Sequence, residues 1–158
     1  MIRVITLLLL TAFLYACNNE QYYDKKEITV LEEVSQHAHE ANKAELILNR
    51  GAKWKADSIT NDNVKKLRAI VENFNAGTDK SMVAYQQTAT NLQHGQDRLV
   101  RECKMTGSDH TALHKWLICL IEKIAQFSQS ATQASSAQSL KAIHTQIELY
   151  AQYFEQEQ

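Results

Sequence analysis

Cys103-Lys104-Met105-Thr106-Gly107-Ser108-Asp109-His110-Thr111-Ala112-Leu113-His114-Lys115-Trp116-Leu117 reads as the end of one helix, a turn and the start of the next. Met105 and Gly107 fall in the turn, where glycine breaks helical periodicity and tolerates unusual backbone angles. Ser108 suits the N-cap of the following helix, and Asp109 in its first turn meets the positive end of the helix dipole. His110 and His114 are four residues apart, so they share one helical face, one turn apart. A thiol, a thioether and two imidazoles are thereby gathered at a single helix–turn–helix corner.

The periodicity on both sides of this corner is helical. Downstream, His110, Leu113, Leu117, Leu120, Ile124 and Phe127 form the inner row of a helix expected from about Asp109 to Ala131. Trp116, Ile118, Cys119 and Ile121 widen its apolar surface, so it is expected to be the most buried helix. Ser135 or Ser136 then caps a last helix reaching about Phe154, with Leu140, Ile143, Ile147, Tyr150 and Phe154 inward. Upstream, Met82, Tyr85, Ala89, Leu92, Leu99 and Cys103 mark a helix opened by Thr78 or Asp79. Before it, Val64, Leu67, Val71 and Phe74 predict a shorter helix over about Asn61–Ala76, capped by Thr60 and broken by Gly77. A first helix is expected over about Glu27–Arg50, with Gly51 as its stop. His37 and His39 within it are two apart, point in different directions and make no chelating pair.

Short connections make successive helices antiparallel. The expected fold is therefore all-α, an up-and-down helical bundle of four long helices plus one short helix, with the bundle domain at 27–156. This topology brings three stretches to one end: the Leu48–Asp57 connector with Trp54 between Lys53 and Lys55, the Cys103–His114 corner, and Tyr150–Phe154.

Composition narrows the function classes. The 158 residues carry 17 basic and 18 acidic side chains, so no nucleic-acid partner is implied. Prolines are absent and glycines number only 4, in keeping with helices. No nucleophile–base–orienter set, paired carboxylates or phosphate loop is present, so the protein is not expected to be an enzyme. With 3 cysteines in all, a four-thiolate iron–sulfur cluster is excluded. Cys119 should lie about 16 Å further along its helix than the corner, at about 1.5 Å per residue. That is too far for a Cys103–Cys119 disulfide.

Thiolate, thioether and imidazole together suit copper(I), and two histidines with a cysteine suit zinc. Cys103, Met105, His110 and His114 are accordingly the expected metal ligands, with Trp54, Lys53 and Trp116 as walls of the site. In the alternative, the corner is purely structural: Met105 plugs the bundle end, Cys103 is core, and the protein is an interaction module with an envelope partner.

The N-terminus carries a second message. Met1-Ile2-Arg3 is a short basic segment, and Val4–Leu14 is apolar but too short to span a bilayer. Leu14-Tyr15-Ala16-Cys17 closes it and resembles the lipobox of bacterial lipoproteins. The resemblance implies a signal peptide over 1–16, lipidation of Cys17, a tether over 17–26 and a lipid-anchored protein of the bacterial cell envelope. The same resemblance implies, from Asn18 after the anchor, the outer membrane rather than the inner one.

The mature part also resembles a group of small helical lipoproteins of bacteria. Those share the corner at Cys103, Met105, Gly107, His110, Leu113, His114, Trp116 and Leu117. They also share the connector at Leu48, Asn49, Gly51, Lys53, Trp54 and Lys55, and the ending Tyr150, Tyr153 and Phe154. That resemblance implies a helical-bundle lipoprotein and carries no activity with it.

Overall fold

A computed structural model describes residues 45–156. The expected signal peptide, Cys17, the tether, residues 27–44 of the first expected helix, and His37 and His39 lie outside the described residues.

Within them the chain runs β1 (Trp54–Ala56), α1 (Ser58–Ala76), α2 (Met82–Glu102), α3 (Gly107–Ser128), α4 (Gln133–Tyr153) and β2 (Phe154–Gln156). None of these helices is long and apolar enough to cross a membrane. The four helices alternate in direction. At one end, which we call the tip, Asp57 meets Lys104 and Lys55 meets Asp109. At the other end Gln133 donates to the Lys80 carbonyl.

Each helix starts where a side chain can satisfy its free N–H groups. Asp57 accepts from Thr60 N, and Ser81 accepts from Ala84 N. Thr132 and Ser135 form a reciprocal capping box at α4. α3 is the exception: its N-cap, Thr106, makes no side-chain cap, and Gly107 opens the helix at φ +65°. That angle lies in the left-handed region, where glycine is the least strained residue.

The core lies between the helices. Leu67, Leu92, Leu99, Leu120, Ile143 and Ile147 are fully buried, and α3 contributes the most buried residues, as its wide apolar surface predicts. Gly95 permits the α1–α2 approach: a Cβ built there would meet Leu67 Cδ2 at 2.7 Å. Leu67 is completely buried and has no room to yield. Gly95→Val is therefore expected to destabilise the fold by about 2 kcal/mol, the overpacking penalty exceeding the helix propensity regained. Urea denaturation with unchanged helical circular dichroism checks it.

Several expected boundaries shift. The helix expected over Glu27–Arg50 does not reach its end, because Asn49–Ala52 form a tight turn bridged in both directions between Asn49 and Ala52. Gly51, at φ +90°, serves that turn rather than a helix C-cap. The helix expected to be short is not: α1 has 19 residues and starts at Ser58, since Asp57 rather than Thr60 caps it. α2 is capped by Ser81 rather than Thr78 or Asp79, and Asp79 instead accepts from Ser81 N. α3 begins before Ser108 and stops at Ser128, short of Ala131. α4 is capped by Thr132 ahead of Ser135 and Ser136.

The fold is also not purely α. Trp54–Ala56 pairs in parallel with Phe154–Gln156, Trp54 opposite Phe154. Two segments expected as a loop and a helix end form this short sheet, each supplying main-chain partners to the other. The expected all-α architecture holds for the bundle, with this two-stranded clasp added at its tip.

Candidate functional site

The tip gathers the connector, the corner and the end of α4, as the topology implies. Two carboxylates hold it together. Asp57 accepts from Thr60 N at 2.5 Å through Oδ1 and from Lys104 N at 2.9 Å through Oδ2. Asp109 accepts from Lys55 N at 2.8 Å, tying α3 to β1. Burial pushes the Asp57 carboxyl up, but its bonds from Thr60 and Lys104 prevail and keep its pKa below the ordinary value. Lys53 Nζ donates to the Ala151 carbonyl at 2.6 Å, and Lys55 pairs with Glu155 across the two strands. That bond and the Lys55 charge lower the Glu155 pKa. Both partners are largely in water, so the pair adds little stability.

Beneath the clasp lies an aromatic column. Trp116 and Tyr150 meet edge to face at 5.0 Å, and Tyr150 stacks on Phe154 at 4.7 Å. Burial first, then the neighbouring Asp57 and Cys103, push the Tyr150 hydroxyl above its usual pKa. It therefore stays protonated and donates to Asn61 Oδ1 at 3.1 Å. Asn61 in turn donates to the Ala56 and Asp57 carbonyls, both at 3.0 Å. Asp57, Asn61 and Glu155 were not singled out in the sequence. For Asp57 a signal existed, an Asp three residues before Thr60 in N-cap position; for Asn61 and Glu155 none did.

The expected metal ligands are divided. His110 and His114 come together on α3, Nε2 to Nε2 at 3.0 Å, with ring centroids 4.3 Å apart and planes at 77°. His114 is exposed and His110 half-buried. Partial burial, then repulsion from His110, lowers the His114 pKa, keeping that ring neutral near pH 7. Met105 is 9% exposed and belongs to the core, and Cys103 packs against the same core. Among the described residues, no three His, Cys, Asp or Glu side chains are grouped so as to hold a metal ion. Cys103 and Cys119 are both free. Cys119, on the apolar surface of α3, is partly buried.

The expected walls are divided as well. Trp116 is 1% exposed and belongs to the core rather than to a wall; its indole N–H donates to the Gln146 carbonyl at 2.8 Å. Trp54 does line a cavity of about 230 Å³, with Leu46, Ile47, Thr111 and Lys115, and its indole donates to the Ile47 carbonyl at 2.7 Å. Lys53 is occupied by the Ala151 carbonyl. A smaller polar cavity of about 170 Å³ lies at the corner between Lys55, Asp57, Lys104 and Asp109.

No family model matches the chain, and neither a curated protein nor a solved structure is significantly similar to it.

Proposed function

We propose that this protein is a non-catalytic lipoprotein of the bacterial envelope, anchored through Cys17, whose bundle serves as an interaction module with a structural tip. The carrying observation is how the polar groups of the corner are used. Asp57 and Asp109 bind main-chain N–H groups 47 and 54 residues away in sequence, which leaves them to hold segments together. Met105 plugs the bundle end and Trp116 fills the core beneath it. The lipobox pattern at Leu14–Cys17 supports the anchor, and Asn18 supports the outer membrane.

The test begins with the anchor. Cys17→Ser is expected to abolish incorporation of labelled palmitate and to shift the protein from the membrane to the soluble fraction. Two or more acyl chains hold a protein stably where none would. Unchanged membrane association of the variant would reject the lipoprotein reading. Site-specific crosslinking from the tip should then capture one defined envelope protein, and lose it when the tip is mutated.

The second reading is a copper or zinc site built from Cys103, Met105, His110 and His114. The approach of the two histidines favours it. Against it, four-fold ligation would draw Met105 out of the core, at about 2–5 kcal/mol if its burial is lost.

A further inference from the structure

The geometry points to His110 and His114 as a two-imidazole chelate for one divalent transition-metal ion, copper(II) ahead of nickel(II) and zinc(II), on the outer face of α3. The inference is independent of the interaction-module reading and needs neither Cys103 nor Met105.

The bite distance decides it. Metal–imidazole bonds are about 2.0–2.1 Å, so two of them at a right angle place their nitrogens about 2.9 Å apart, and at the tetrahedral angle about 3.4 Å apart. The two Nε2 atoms stand 3.0 Å apart, near the right-angle value. Right-angle positions belong to the tetragonal geometry of copper(II) and nickel(II), and copper(II) also heads the general affinity order.

The chemistry of the pair agrees. Both rings turn the same nitrogen, Nε2, toward one another. In the free protein one ring donates its Nε2 proton to the other. On binding, that proton moves to Nδ1 of the same ring, leaving two lone pairs for the ion and no change in charge. The exposure of His114 leaves the remaining coordination positions to water.

The backbone beneath the pair is held at both ends. Asp109 is tied to Lys55 N, and Trp116 is locked to α4 by bonds of 2.8 and 3.0 Å with Gln146. The imidazoles therefore converge on a rigid segment, which lowers the ordering cost of ligation.

The test is titration of the full lipidated chain in detergent with copper(II) chloride. It is read by the copper electron paramagnetic resonance spectrum and by competition with a chelator of known affinity. The expected result is one tight copper(II) per chain with two imidazole nitrogens. His110→Ala and His114→Ala should each weaken binding by about tenfold or more, since even outer-shell changes at metal sites reach that size. His94→Ala, on the exposed face of α2, and Cys103→Ser should leave it unchanged. Circular dichroism of each variant verifies the fold. Binding that survives His110→Ala and His114→Ala, or that disappears in Cys103→Ser, would overturn the two-imidazole site.

Discussion

Trp116→Ala should lower the free energy of unfolding by about 3–5 kcal/mol, the largest loss expected of any single truncation in this bundle. Trp116 is among the largest fully buried side chains. Its removal leaves a cavity between α3 and α4 and strips the edge contact from Tyr150. It also removes the 2.8 Å bond from the indole N–H to the Gln146 carbonyl, which keeps only its helical partner. The reciprocal bond, from the Gln146 side chain to the Trp116 carbonyl, uses main-chain oxygen and survives the substitution. Trp116→Phe keeps most of the volume and should retain over half of the lost stability. Urea unfolding followed by circular dichroism measures both. A Trp116→Ala variant within about 1 kcal/mol of the parent would mean that the aromatic column does not support the tip.

Asp57→Ala is expected to cost about 2–3 kcal/mol, well above an ordinary cap. One carboxylate does two jobs here. It caps α1 through Thr60 N, and it satisfies Lys104 N in the turn before α3. Removal frays the first turn of α1 and leaves a main-chain donor of the corner unpaired. Asp57→Asn retains one acceptor oxygen, so it should keep the cap and lose the bond to Lys104, for an intermediate effect. Hydrogen exchange at Thr60 and Lys104 separates the two contributions.

The same carboxylate sets an acid dependence. Its folded pKa lies below its unfolded value, so the stabilisation is fully present above the unfolded pKa of about 4. It is lost as pH falls from there through the depressed folded pKa. Stability measured from pH 6 to pH 2 should fall more steeply in the parent than in Asp57→Ala, and parallel curves would remove Asp57 as a source of that slope.

Helical periodicity was legible where apolar residues recur every three or four positions, as in Leu113, Leu117, Leu120, Ile124 and Phe127. Helix starts were less legible, because Ser, Thr and Asp crowd each boundary and only geometry selects among them. Asp57 over Thr60, Ser81 over Asp79 and Thr132 over Ser135 are such cases. The parallel pairing of Trp54–Ala56 with Phe154–Gln156 had no local signal. Three-residue strands carry no alternation long enough to read, and their partners are separated by about a hundred residues.

The sequence by itself determined the helical class, the fold-back at Gly107, the gathering of Trp54, the corner and Tyr150–Phe154 at one tip, and the histidine pair on one face of α3. These follow from spacing along a helix and from short antiparallel connections, both local properties of the chain. Only the tertiary structure decided what each chemical group faces. It turned Met105 and Trp116 inward, spent Asp57 and Asp109 on distant main-chain donors, and set the two imidazole nitrogens 3.0 Å apart. Burial and rotamer are settled by neighbours that approach from across the fold, and residue spacing holds no record of them.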